Sequence, residues 1–254
     1  MSANTPELAV VILAAGKGTR MKSDLPKVLH PLAGRPMIDW VVDLAGQLGA
    51  ARTVVVVGHQ AEKVQAHLSG RGGLSFALQE PQLGTGHAVM AAAPALAGFD
   101  GDVIILYGDV PGLRRSTAQG FIDQHRSEGN AQTVMAIDRD PPPAYGRLIL
   151  DGQGRLTRIV EERDASEAEK KITLVSSGIF VFRCGPLLQC LPLLTTDNDQ
   201  KEYYLTDLAQ IFHQRGYKVG YVLVPDPGEL QGINSQDELA WMEGRWAATG
   251  GKPD

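Results

Sequence analysis

Cysteine is nearly missing from this chain, with only Cys184 and Cys190 among 254 residues. Their C-x5-C spacing matches no zinc pattern, and no second pair completes a four-ligand site. They read as small core or surface thiols of a reducing cytosol. Net basic charge is also lacking: the formal charge is −5, which speaks against general nucleic-acid or anionic-membrane binding. The start, MSANTPE, has no basic stretch before an apolar core, and the run Leu8 to Ala15 is too short to span a bilayer. The expectation is a soluble, cytoplasmic protein. Two familiar phosphate-binding motifs are missing as well. A dinucleotide fingerprint needs Gly or Ala where Met21 stands, and no G-x4-G-K-[ST] loop occurs. Internal repeats and low-complexity linkers are likewise missing, so one domain with two lobes is expected.

What is present is an alternation of buried strands and helices. ELAVVILAA, RTVVVVG (52–58) and DVIILYGD (102–109) are apolar, β-branched runs ending at glycine or aspartate, the pattern of buried parallel strands. Between them, Met37, Trp40, Val41, Leu44 and Leu48 share one helical face, with Pro36 suited to the first turn. Thr85 to Leu96 is alanine-rich and predicts a second helix. Alternating strands and helices imply a doubly wound, mainly parallel α/β sheet of Rossmann-like kind. After residue 130, AQTVMAID, YGRLILD, GRLTRIVEE and TLVSSGIFVFR read as strands, and DGQG (151–154) signals a hairpin. These predict antiparallel additions forming one wall of a cleft, with helices at about 203–214 and 235–247. The expected division is a first lobe over 7–130, a second lobe over 131–234, a closing helix over 235–247 and a frayed tail over 248–254.

Three segments carry chemistry. In VILAAGKGTRMKSDLPK, Gly16 and Gly18 let backbone N–H groups approach an anion, and Arg20 and Lys27 add positive charge. The same spacing also fits an ordinary strand-to-helix turn. In LYGDV a strand delivers Asp109 to the sheet edge where the first loop lies, a place suited to Mg²⁺ between protein and phosphate; a cap or turn role is the alternative. In LQEPQLGTGHA, Gly84 and Gly86 expose backbone, Thr85 can cap the next helix, and the Gln79 amide can read a base edge. His87 lacks a neighbouring nucleophile or orienting carboxylate in the sequence and reads as a packing or surface residue.

Together with YGRL, IVEERDA, EYYLTD and GINSQ, these segments resemble the nucleotide-sugar pyrophosphorylases over about residues 8 to 245. LGTGHA and LYGDVP point to the uridyltransferase half of the bifunctional N-acetylglucosamine-1-phosphate uridyltransferase/glucosamine-1-phosphate acetyltransferases. The resemblance implies UTP and a sugar-1-phosphate as substrates and Mg²⁺ as cofactor. Nucleotide contacts would come from Leu13, Ala14, Ala15, Gly16, Gly18, Lys27, Gln79, Gly84 and Thr85. Sugar contacts would come from Tyr107, Gly146, Glu161, Ser176 and Asn234, and metal ligation from Asp109 and Asn234. Arg20, Lys27 and Asp109 would be catalytic, with Arg20 on the leaving pyrophosphate. The implied reaction is in-line attack of the sugar phosphate on the α-phosphorus of UTP, with no protein nucleophile. UDP-N-acetylglucosamine made this way would serve cell-wall biogenesis.

Two departures from that pattern stand out. Ser176 replaces a family asparagine that helps hold the sugar, which leaves the acceptor sugar open. No hexapeptide repeats, which carry the family's acetyltransferase and trimer interface, occur in these 254 residues. No acetyl transfer is expected, and the sequence does not fix the oligomeric state. Other readings are a pyrophosphorylase or cytidylyltransferase with another NTP or sugar phosphate, and a non-catalytic nucleotide-sugar-sensing relative.

Overall fold

A computed structural model describes residues 6–249. Its centre is β1 (Glu7–Ala14), buried in all but its first residue. Leu8, Val10 and Ile12 enter one core cluster, while Ala9, Val11 and Leu13 enter another. A strand apolar on both faces can only be satisfied in the middle of a covered sheet. A short hairpin of β2 (Pro31–Leu32) and β3 (Arg35–Pro36) follows, then α1 (Met37–Gln47). β4 (Arg52–Val57) and α2 (Ala61–Leu68) lead to β5 (Leu74–Leu78). α3 (Thr85–Ala92) tightens into a 3-10 turn over Ala93–Leu96, within the stretch expected to be one helix. β6 (Gly101–Tyr107), α4 (Arg115–Glu128) and β7 (Gln132–Asp138) come next.

β8 (Arg147–Leu150) and β9 (Leu156–Val160) pair antiparallel around the DGQG turn, as the turn chemistry predicts. β10 (Leu174–Arg183), α5 (Cys184–Cys190), α6 (Leu208–Gln214), β11 (Val219–Leu223) and α7 (Gln236–Ala248) complete the chain. The helix expected at about 203–214 is a 3-10 turn, Leu205–Asp207, running into α6. Of the tail 248–254, Ala248 still belongs to α7, and residues 250–254 lie outside the described residues.

Among the described residues one sheet joins nine strands, in the order β11-β7-β10-β6-β1-β4-β5, with the β8–β9 hairpin attached to β10. β6, β1, β4 and β5 are parallel, so their C-terminal ends share one edge. β10 runs antiparallel to β6 and β7, and its first residues extend past that same edge. The strands of the second half therefore continue the first sheet. Chain connections leave β1 toward β4 on one side while β6 closes on the other, which makes the crevice beyond β1 a topological switch point.

Helices cover both faces. Residues of α1, α2 and α4 pack into the first core cluster, and those of α3, α5 and α6 into the second. Cys184 and Cys190 are free and buried, and burial raises both thiols above their ordinary value. α7 returns across the molecule. Its Leu239, Met242 and Trp246 pack on Leu32, Met37 and Trp40, with the two indoles edge to face at 5.2 Å. Among the described residues, no helix is long and apolar enough to cross a membrane.

Candidate active site

A cleft of about 370 Å³ opens at the C-terminal edge of β1, β5 and β6. Leu13, Ala14, Ala15 and Gly16 line it from the end of β1, and Tyr107 and Asp109 from the end of β6. Gln79, Gly84 and Thr85 line it from the segment between β5 and α3, while Lys27 and Asn234 come from two further loops. The structure thus brings eleven of the residues singled out in the sequence into one space. A larger cavity of about 670 Å³ lies at the opposite edge of the sheet, around Asp102, His125 and Arg183, and holds none of these residues.

Lys27 sits on the loop after β1, and Gly18 explains how that loop closes on it. Gly18 has φ +60°, and a Cβ there would stand 2.6 Å from the Lys27 Cβ. Glycine is required both for the backbone conformation and for the contact. The Lys27 ammonium is paired with the Asp109 carboxylate and donates to Asn234 Oδ1 at 3.0 Å. Asp109 and Asn234 are brought together by backbone: Ile233 N donates to Asp109 O at 2.9 Å. Arg20, on the 3-10 turn Thr19–Met21 of the same loop, is exposed and makes no ion pair among the described residues. Gly18 and Arg20 border the cleft loop without lining the cavity itself.

Gln79 is 4% exposed, and its side-chain N–H donates to Gly84 O at 2.9 Å, which fixes the amide. Two sequence expectations for this segment are corrected. Thr85 does not cap α3, because Gly84 occupies the cap position; the Thr85 hydroxyl instead accepts from Leu205 N at 3.2 Å. Gly86 does not expose its backbone. It is buried, and its N–H donates to Tyr203 O at 2.8 Å. His87 stacks on Tyr203 at 6.0 Å.

Gly146, Glu161 and Ser176 do not line this cavity. Gly146 is in contact with both others, and the Glu161 charge acts on Tyr107, which does line it. A Cβ on Gly146 would stand 3.4 Å from Glu161 Oε1, and Gly146 O accepts from Ser176 N at 2.7 Å. Gly178, in the bulge of β10, has φ +84°, and a Cβ there would meet the Tyr107 hydroxyl at 3.0 Å. Burial, followed by the charges of Glu161 and Asp109, pushes the Tyr107 phenol far above its ordinary value. It is a neutral hydroxyl at any physiological pH. Burial also raises the Glu161 carboxyl, against a hydrogen bond from Thr206 Oγ1 at 2.8 Å. The Ser176 hydroxyl accepts from Gly178 N at 3.1 Å.

Several residues of the site are not found by reading glycine and charge spacing. Gln82 and Glu202 also line the cleft. Glu238 accepts from Asn234 N at 2.6 Å, and Ser235 Oγ accepts from Glu238 N at 3.2 Å. The S-x-x-E pattern at 235–238 is the capping-box signal; here the Glu238 carboxylate reaches one residue further back than in a reciprocal box, to Asn234 N.

Fold and cleft together define a nucleotide-diphospho-sugar transferase architecture. A glucose-1-phosphate thymidylyltransferase, as the Bacillus anthracis protein is described, has the same fold: TM-score 0.72 over 94% of each chain, at 18% identity. The family model for the MobA-like NTP transferase domain matches residues 10–172, more than half of the chain, and the protein belongs to that family. Among curated relatives, the bifunctional protein GlmU of Geotalea uraniireducens is 49% identical over 92% of this chain and 51% of its own length. The GlmU proteins of Pelobacter propionicus and Sphingopyxis alaskensis are 50% and 47% identical, over 92% and 96% of this chain. The chain spans about half the length of the curated relatives it matches.

Proposed function

We propose that the protein is a sugar-1-phosphate uridylyltransferase, joining UTP and N-acetylglucosamine-1-phosphate into UDP-N-acetylglucosamine with release of pyrophosphate. The observation that carries this reading is the convergence of Lys27, Asp109 and Asn234 in a cleft that also holds the fixed Gln79 amide. Similarity to the GlmU proteins over nearly the whole chain supports it.

A divalent cation fits this donor set. Two hard oxygens, Asp109 Oδ2 and Asn234 Oδ1, already share one cation, the Lys27 ammonium. Among the described residues no group of three or more acidic, His or Cys side chains could hold a metal. The ion would complete its shell with water and phosphate oxygens, as Mg²⁺ commonly does. Mg²⁺ held there supplies neutralisation of phosphate charge.

This chain's own residues do the rest. The attacking phosphate oxygen is already anionic, so no general base is needed. A bond forms from that oxygen to the α-phosphorus as the bond to the bridging oxygen breaks, and pyrophosphate leaves with the electron pair. Lys27 stabilises charge on the transferring group, and Arg20, exposed and in no ion pair among the described residues, meets the leaving pyrophosphate. Each such contact contributes about 3 kcal/mol, roughly a hundredfold in rate. Glu161, aligned by Thr206, accepts a sugar hydroxyl, while the Gln79 amide and the Gly84–Thr85 backbone face the base.

A second reading, transfer to a differently substituted sugar, is favoured by Ser176, a residue 4% exposed whose hydroxyl accepts from Gly178 N. Pyrophosphate release measured across the four NTPs and a set of sugar-1-phosphates tests both. The expected optimum is UTP with N-acetylglucosamine-1-phosphate. No release with any pair defeats the enzymatic reading, and a different preferred sugar establishes the second.

A further inference from the structure

The segment EYYLTD (202–207) forms a strap at the cleft, which its Glu202 lines, and its contacts run in two directions. Toward the nucleotide side, Tyr203 N donates to Leu83 O and Gly86 N donates to Tyr203 O, both at 2.8 Å. A Cβ on Gly84 or Gly86 would stand 2.7 or 2.9 Å from Tyr203 O. Both glycines are therefore spacers for this strap, whatever else they contact. Toward the sugar side, Thr206 Oγ1 donates to Glu161 Oε1 at 2.8 Å.

Thr85 joins the two directions. Leu205 opens the 3-10 turn Leu205–Asp207, whose preceding residue, Tyr204, supplies no side-chain cap. The first N–H of that turn needs a partner from elsewhere, and the Thr85 hydroxyl provides it at 3.2 Å from a position 120 residues away. Thr85 itself lines the cleft. From the segment facing the nucleotide to the carboxylate facing the sugar there are thus two side-chain hydrogen bonds, Thr85 to Leu205 and Thr206 to Glu161. Leu205 and Thr206, which carry these two bonds, are consecutive in one short turn.

The geometry points to Thr85 as a positioning residue that couples the two substrate subsites. Nucleotide bound against the 79–86 segment holds Thr85, Thr85 holds the 3-10 turn, and the turn presents Glu161 to the acceptor. This rests on the nucleotidyltransferase reading. Coupling of this kind is a difference in binding free energy and is reciprocal. It is therefore read as a ratio that is independent of either affinity taken alone.

The test is calorimetric titration of N-acetylglucosamine-1-phosphate, with and without Mg²⁺ and saturating α,β-methylene-UTP, a uridine triphosphate that cannot be cleaved at the reacting bond. In the wild type the analogue is expected to tighten acceptor binding about fivefold or more. In Thr85→Val the ratio of the two Kd values falls to about one, and Thr85→Ser, which keeps the hydroxyl, retains it. Thr206→Val breaks the other link and is expected to lose the ratio as well, so the test survives if Thr85→Val does not fold. A full ratio in either valine variant, or a wild-type ratio of one with both probes bound, overturns the coupling and leaves the enzymatic reading standing. Wild-type protein that binds neither probe defeats the enzymatic reading and this inference with it.

Discussion

The Lys27 ammonium donates to the Asn234 side-chain oxygen at 3.0 Å, across 207 positions of sequence. The same ammonium pairs with Asp109, so the free protein fills its proposed cation position with a side chain. On the proposed function, metal and lysine would compete for the same two oxygens until substrate phosphate took up the lysine. Lys27→Ala is expected to lower turnover roughly a hundredfold. It should also raise Mn²⁺ affinity of the nucleotide-free protein by about tenfold, or about 1.4 kcal/mol. Mn²⁺ titration followed by electron spin resonance reads the second effect, and weaker binding in the variant would show that Lys27 supports the ion instead of excluding it.

Removing the carboxylate gives the opposite metal response. Asp109→Ala would leave Asn234 as the remaining one of the two proposed ligands, and it frees Lys27, whose side chain is only 15% exposed, of its charge partner. Pyrophosphate release at limiting Mg²⁺ is expected to fall roughly a hundredfold. Release at the wild-type rate would remove Asp109 from the metal site.

The strands that frame this site are the most legible part of the molecule. β1, β4 and β6 are continuous apolar runs, and both core clusters draw on alternate residues of each. Asp109 at the end of β6 follows from the same pattern. What escapes is the pairing and the weakly apolar elements. β5 buries only Ala77 of LSFAL, and β11 is half-buried at the other sheet edge, so neither stands out from its surroundings. α4 buries only Ala118, Phe121, Ile122 and His125 among polar residues. Within the site, the contacts of Gly84, Thr85 and Gly86 depend on Tyr203 and Leu205, more than a hundred positions away. Local spacing suggests exposed glycines and a cap, and the long-range contact replaces both.

Gly86 provides a packing test of that contact. A Cβ there would stand 2.6 Å from Leu194 Cδ1 and 2.9 Å from Tyr203 O. Because one of these atoms is backbone, Gly86→Ala is expected to destabilise by about 1–3 kcal/mol. Gly120 in α4 is the control, with nothing within 4 Å of an added Cβ. Gly120→Ala should stabilise by about 0.5–1 kcal/mol through helix propensity. Urea denaturation of both variants reads the contrast, and equal effects would mean that the strap yields to the methyl group.

Asp207 gives the fold a pH dependence of unusual sign. Burial first, then the charges of Glu161 and Asp164, push its carboxyl from 3.8 up to about 6. Between those values the folded protein keeps a proton that the unfolded chain has released. The contribution of this group is therefore full below about pH 4 and is lost as pH rises through about 6. Asp207→Asn removes the penalty. With allowance for screening of a partly open group, its gain at about pH 7.5 is about 1 kcal/mol, or about 2–4 °C in Tm. No gain is expected at about pH 4. Equal shifts at both pH values would assign the effect to packing in place of charge.

The cap of α7 bears on the site as well as on stability. Ser235 accepts from Glu238 N, and Glu238 reaches back to Asn234 N at 2.6 Å, so the first turn of the helix fixes the residue that faces Lys27. The carboxylates of Asp237 and Glu238 also suit the positive end of the helix. Ser235→Ala is expected to cost about 1 kcal/mol of stability. Its effect on the reaction should be small because Glu238 still holds Asn234. Glu238→Ala frees the Asn234 backbone while leaving the Ser235 side chain in place. It is expected to raise the Mg²⁺ concentration for half-maximal pyrophosphate release severalfold, at a stability cost no greater than about 1 kcal/mol. If Ser235→Ala moved the Mg²⁺ requirement as far as Glu238→Ala, the helix end as a whole, and not the Glu238 contact, would be positioning Asn234.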